Sequence, residues 1–279
     1  MKRAWTVVFL CAGLFSCGKS DPPSDILFPC EWPGSPGFLP VTNIDRSNLN
    51  GPSGICYHPG RKTLFAVGDR GDVLEMRPDG TPVSRGRLRG DLEDITVDPA
   101  TGLLYVVLEG DDVIVEVDPE GFLPIRRFPV DRSFQGDPAF LRKQTRRYDN
   151  GLEALVFVPD AAHPEGGSFY AGNQEDPDCV VELFVPLKSG RGAEAPARIA
   201  RILTTGLPDP AAIFFDPRTR LLNVVSDAPN ILSEITPAGR VVRQFAFPGN
   251  DQEGACLDEE GHLYIAQDCG GILKLKDKR

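Results

Sequence analysis

One pattern recurs through most of this chain, and it limits the possible folds more than any other feature. A small or acidic residue opens a short apolar strand, a turn follows, and a second apolar strand ends in a carboxylate. The copies open at Ser53, Glu93, Glu153, Ala211 and Glu253, and their second strands end at Asp69, Glu109, Glu175, Asp227 and Asp268. Counted from the second residue of each copy, the carboxylate lies 15, 15, 21, 15 and 14 residues on; an inserted loop over 159–167 accounts for the long interval. A third apolar strand comes next (73–76, 113–117, 180–184, 231–235 and 272–275). Turns such as Pro78-Asp79-Gly80 and Pro237-Ala238-Gly239 lead to a fourth, for example 241–247. Short antiparallel strands in fours, repeated every 40 to 60 residues, are the mark of a propeller blade. The sequence therefore predicts an all-β fold, a five-bladed β-propeller of four-stranded antiparallel blades over 39–279. The last copy stops at its third strand. Residues 38–44 are expected to supply the missing outer strand and close the ring without an open edge. The charged, Gly- and Pro-containing stretches 132–150 and 188–197 are expected as surface loops.

The 29 Gly and 26 Pro fit a fold made of turns rather than long helices. The N-terminus has a different character. Lys2 and Arg3 precede an apolar run from Ala4 to Phe15, too short for a comfortable membrane span. Leu14-Phe15-Ser16-Cys17 has the form of a lipobox, so 1–16 reads as a lipoprotein signal peptide and Cys17 as the lipid acceptor. Residues 17–38, rich in Pro, Gly, Ser and Asp, read as a flexible tether. The expected location is the cell envelope, with the chain exported and held to a membrane by its N-terminal lipid. Gly18 after the cysteine favours the outer membrane, facing the periplasm or the cell surface. The net charge is −10, and −12 once Lys2 and Arg3 are removed, which disfavours nucleic-acid partners. A monomer is expected.

The topology of a blade gives the carboxylates a common destination. The first strand lines the central channel and the second runs back beside it, so the start of one and the end of the other share a rim. Glu93 is thus placed with Glu109, Glu153 with Glu175, and Glu253 with Asp268, while Asp69 and Asp227 join from the other two copies. Like charges in a narrow mouth repel unless protons or a cation compensate. Calcium, with about six to eight oxygen ligands in flexible geometry, suits such a place. Glu93, Glu153 and Glu253 are the best ligands; Asp69, Glu109, Glu175, Asp227 and Asp268 are additional rim candidates. Carboxylates after strands also serve as turn acceptors, a role open to Asp69 and Asp227 in particular. His58, His163 and His262 fall toward the opposite rim, which argues against zinc and against a Ser-His-Asp hydrolase.

Ser53-Gly54-Ile55, Leu92-Glu93-Asp94-Ile95, Gly151-Leu152-Glu153-Ala154-Leu155 and Gln252-Glu253-Gly254-Ala255 together resemble the SdiA-regulated, YjiK-like family of exported bacterial proteins. The resemblance spans roughly residues 40–275 and departs at Ala211-Ala212, where a Ser-Gly-like pair is expected. It implies a five-bladed propeller, distantly NHL-like, with calcium bound through Glu93, Glu153 and Glu253. It implies no substrate. The favoured function is a membrane-tethered, calcium-binding scaffold or binding module for an unknown protein or small-molecule ligand. The alternatives are a calcium-dependent hydrolase of lactonase or phosphotriesterase type and a metal-free structural repeat protein. An exported chain permits disulfides. Cys269 could pair with Cys30 or Cys179, whereas Cys56 and Cys256 read as small buried hydrophobes.

Overall fold

The computed structural model describes residues 25–29, 38–142, 151–189, 195–246 and 251–276. Every regular element among them is a β-strand. In chain order they are β1 (Asp25–Pro29), β2 (Phe38–Asn43), β3 (Pro52–His58), β4 (Thr63–Gly68), β5 (Asp72–Met76), β6 (Pro82–Arg87), β7 (Leu92–Val97), β8 (Leu104–Leu108), β9 (Val113–Asp118), β10 (Leu123–Asp131) and β11 (Leu152–Pro159). The remainder are β12 (Gly167–Asn173), β13 (Cys179–Phe184), β14 (Ala197–Leu203), β15 (Pro210–Asp216), β16 (Leu221–Ser226), β17 (Ile231–Ile235), β18 (Val241–Ala246), β19 (Gln252–Leu257), β20 (His262–Gln267) and β21 (Ile272–Lys276).

The strands pair as antiparallel meanders. β3 to β6 form one sheet and β15 to β18 another. β7 to β10 and β11 to β14 join into an eight-stranded sheet where β10 meets β14 in parallel, Val130 beside Ala197. β19 to β21 continue through β2 to β1. Val41, Thr42 and Asn43 of β2 pair with Leu275, Lys274 and Leu273, the place the sequence assigned to 38–44. Within the stretch read as a tether, Asp25–Pro29 is paired as β1 along the outside of β2. The proposed signal peptide and Cys17 lie outside the described residues.

The first strands pack in a cycle: β3 on β7, β7 on β11, β11 on β15, β15 on β19, and β19 back on β3. Both faces of these strands meet neighbours, so they are buried along nearly their whole length, as are the second strands. The outer strands β6 and β18 are largely exposed and carry polar residues. The architecture is propeller-like, and the apolar core is divided among the interfaces between neighbouring sheets.

A second repeat lies in the third strands, inside their apolar pattern. Glu75, Glu116 and Glu234 are each 1% exposed, and an arginine meets each of them. Arg126 grips Glu116 with Nε and Nη2, both at 2.6 Å, and the Tyr105 hydroxyl donates to the same carboxylate at 3.0 Å. Arg243 donates to Glu234 at 2.8 Å, and Arg201 to Glu182 at 3.0 Å. In the last sheet Lys274 stands at this position and covers the Tyr264 ring instead. These pairs tie third strands to their surroundings where the middle layer meets the outer one. Removing one partner would leave a buried charge unpaired, which costs about 3–5 kcal/mol.

Candidate acidic site at the channel mouth

The N-terminal ends of the first strands meet around a cavity of about 230 Å³. Its wall is made by Glu93, Glu153 and Glu253, with Asp69, Asp91, Glu109 and Asp268 around them and Ser53 and Gln174 between. The local cause is a register break that recurs in every first strand. Pairing with the second strand skips one residue between Pro52 and Gly54, Leu92 and Asp94, Leu152 and Ala154, Pro210 and Ala212, and Gln252 and Gly254. The skipped residues are Ser53, Glu93, Glu153, Ala211 and Glu253. A bulge leaves its extra residue out of the ladder and re-aims the side chain. Here it turns three glutamates into one opening.

Next along each strand stands a small or special residue: Gly54, Asp94, Ala154, Ala212, Gly254. They form a waist. A Cβ on Gly254 would lie 2.8 Å from the Gly54 Cα, and one on Gly54 would lie 2.5 Å from the Asp94 Cα. The first strands do not pair with one another through backbone hydrogen bonds, so their N–H groups need side-chain acceptors. Asp94 supplies them. Its carboxylate accepts from Leu155 N–H at 2.7 Å and from Ile95 N–H at 2.7 Å, and it also takes the Ile55 N–H. One buried side chain thus stitches β3, β7 and β11. Burial outweighs these bonds and holds its pKa well above the usual carboxylate range.

The mouth concentrates negative charge. Burial, followed by the charges of Glu153, Glu109 and Asp91, pushes the Glu93 carboxyl far upward, and Glu153 also shares a hydrogen bond with it. Burial, then Glu153, Asp227, Asp209 and Asp268, pushes Glu253 up to about 9. Asp268 is raised by burial and by Asp69 and Asp251. At neutral pH the cluster therefore holds protons that a cation would displace. Carboxylate oxygens of Asp91, Glu93 and Glu109 come within 4.8 Å of one another. The side-chain oxygen of Gln174 is buried without a hydrogen-bond partner. Carboxylates and an orphaned amide oxygen are a hard donor set, which fits calcium and suits zinc poorly.

Residues 47–178 match the Phytase-like family, described as esterase-like activity of phytase. The Phytase-like match runs from before β3 to just before β13, so it takes in Glu93 and Glu153 and ends short of Glu253. No curated protein matches the sequence. Among solved structures, the crystal structure of Myxococcus xanthus glutaminyl cyclase superimposes with a TM-score of 0.57 at 12% identity, covering 85% of this chain and 95% of that one. A protein of unknown function from Bacteroides thetaiotaomicron VPI-5482 superimposes with a TM-score of 0.51 at 12% identity, covering 87% and 78%. At such identities the likeness concerns the fold, which is propeller-like in all of them. The SdiA-regulated resemblance is met at that coarser level, a propeller-type domain with a Phytase-like segment.

Of the rim residues named from the sequence, Asp69, Glu109 and Asp268 line the mouth with the three glutamates. Ser53 donates to Asp69 at 2.6 Å, a bond between two residues of the mouth. Glu175 and Asp227 do not line it. Glu175 is exposed, and its carbonyl accepts from the Asn173 amide; Asp227 accepts the Gln252 N–H at 2.9 Å. Asp91, Asp94 and Gln174 were missed. Asp91 lies two residues before the repeat position at Glu93, and Gln174 one before that at Glu175. Asp94 occupies the waist position that the other copies fill with Gly or Ala, and that break in the pattern was the available signal. His58, at the far end of β3, bonds the Gly102 carbonyl at 3.0 Å, and His262 bonds Asp258 at 2.8 Å, both away from the acids. No disulfide joins Cys56, Cys179, Cys256 or Cys269 among the described residues, and Cys30 lies outside them. Cys56 and Cys256 are buried in different core clusters, on opposite faces of β3, consistent with their role as small hydrophobes.

Proposed function

We propose that the acidic mouth is a calcium site held by Glu93, Glu153 and Glu253 at the centre of a five-bladed ring, and that the protein is a calcium-dependent binding module of the cell envelope. The supporting observation is the repeated bulge. It delivers carboxylates from three strands, 60 and 100 residues apart, into one cavity, where burial and neighbouring carboxylates push Glu93 and Glu253 upward. Asp69, Glu109 and Asp268 surround these ligands, and the Gln174 amide oxygen is a neutral donor lining the same cavity. The lipobox at 14–17 supports attachment through lipid on Cys17, and residues 17–24 then lead to β1. Calcium titration calorimetry on the full chain tests the site. Binding of one ion with release of protons is the expected result, and no heat with wild-type protein would end the proposal. Loss of acyl-chain incorporation in Cys17→Ser tests the anchor.

A second reading has its own support. The description of the matched family, esterase-like activity of phytase, favours hydrolysis of an ester. Bound calcium would polarise an acyl or phosphoryl oxygen. The chain's own part would be to exclude bulk water at the waist and to take a proton onto Asp91 or Glu109, which lie beside Glu93 at the solvent side. A panel of lactones, carboxylic esters and phosphoesters, assayed with calcium and with chelator, separates the two. Calcium-dependent turnover selects the hydrolase; binding of calcium without turnover selects the module.

A further inference from the structure

The first strands end on a second opening. A cavity of about 480 Å³ lies at their C-terminal ends, and no residue lines both it and the acidic mouth. Tyr57, Val97, Phe157, Phe215 and Leu257 hold equivalent places in its wall, each four residues beyond its strand's bulge. All but Phe157 are only half-buried, so large apolar side chains from most of the ring are left uncovered around one space. Two residues further on, four of the strands have proline and the last has Glu259. The volume falls in the range of small-molecule sites, about 300–1,000 Å³, and the wall is mainly apolar, as such sites are.

Charge at this lip is one-sided. Arg218 is engaged with Asp216 at 3.1 Å. Asp258 is occupied by the His262 ring and the Tyr264 hydroxyl, both at 2.8 Å. Glu259 and Glu260 are exposed beside Tyr57, and burial together with these carboxylates pushes the Tyr57 phenol up to about 12. An aromatic face flanked by carboxylates attracts a cation. We propose that this second mouth binds an amphiphilic organic cation, an alkyl or aryl ammonium whose apolar body enters the cavity and whose charge rests between Tyr57 and Glu259. The site is separate from the calcium reading and does not depend on it.

Dodecyltrimethylammonium, kept below its micellar concentration, is the probe, titrated calorimetrically into the full chain with calcium in excess. One molecule is expected per chain, with dodecyl sulfate bound at least about tenfold more weakly. Glu259→Lys, an exposed substitution that leaves the core untouched, should weaken the ammonium by about tenfold and narrow or reverse the preference. Val97→Trp, which fills the cavity, should abolish binding of both. Equal affinity for the two amphiphiles, unchanged binding by Glu259→Lys, or displacement of the ammonium by calcium would each overturn the proposal. The Glu259→Lys arm reads the same whether or not calcium binds, so failure here is distinguishable from failure of the calcium site.

Discussion

At one end the first strands present Ser53, Glu93, Glu153, Ala211 and Glu253; four residues later the same strands present Tyr57, Val97, Phe157, Phe215 and Leu257. Two openings of one channel thus have opposite chemistry, with a waist of small residues between them. The difference arises from register. Beyond the waist the ladder with the second strand is regular, and side chains alternate between the two neighbouring sheets. At the bulge the alternation breaks, and a side chain that would have packed between sheets turns into the opening. There the glutamates share one opening and the pKa values of Glu93 and Glu253 rise, whereas the same side chains one residue later would stand at the waist, where even a Cβ meets the neighbouring backbone.

The comparison predicts where substitutions will be felt. The largest effect is expected at the waist, which both mouths share. Asp94→Ala removes the acceptor of three buried N–H groups, and an orphaned buried donor costs about 1–3 kcal/mol. A loss on the order of 4 kcal/mol in denaturant unfolding, with both binding activities impaired, is expected. A loss below about 1 kcal/mol would show that the strands are held otherwise.

Glu153→Gln comes next and acts on one mouth alone. Losing a ligand should weaken calcium by at least about 100-fold in calorimetry, since even outer-shell changes cost about 10–100-fold. Without calcium the same substitution should raise the melting temperature, because it relieves repulsion on Glu93 and Glu253. A variant less stable than wild type in chelator would contradict the crowding of charge.

The pH dependence should also separate the two ends. Glu253 is raised from 4.5 to about 9, so between those values the folded, metal-free protein binds more protons than the unfolded chain. Its stability should then fall as pH rises through that window, since stability falls wherever the folded state holds the extra proton. Calcium bound as proposed would displace these protons and should flatten the slope, readable as melting temperature against pH with and without the ion. Ammonium binding at the apolar mouth should be nearly level from pH 6 to 8.

The smallest effect is expected from Phe215→Ala. This side chain is half-buried, so a loss of about 1 kcal/mol is expected, below the ~3–5 kcal/mol of a fully enclosed phenylalanine. Calcium affinity should not change. A change would mean that the waist transmits strain from one mouth to the other.

Much of the candidate site was legible because the repeat places equivalent residues at equivalent points of a closed ring. Three glutamates at one repeat position had to share a mouth once the copies closed. What escaped was whatever departed from the period. Asp94 reads as an ordinary polar neighbour of Glu93 until its bonds to β3 and β11 are seen. The glutamates of the third strands look like interruptions of apolar runs, and only the fourth-strand arginines and the Arg61 turn explain their burial. Asp227 was placed at the rim by its spacing, yet its carboxylate accepts the Gln252 N–H at the start of β19.

By itself the sequence determined the all-β class, the positions of the strands, the closure through residues 38–44 and the segregation of acids at strand beginnings from apolar residues at strand ends. These follow from local periodicity and from turn residues, which act within a few positions along the chain. Tertiary structure alone decided which side chains leave the ladder to enter the channel, which carboxylate holds the strands together at the waist, and that the far ends enclose a second cavity. Those outcomes depend on contacts between strands far apart in sequence that share no backbone ladder, and such contacts leave no spacing to read.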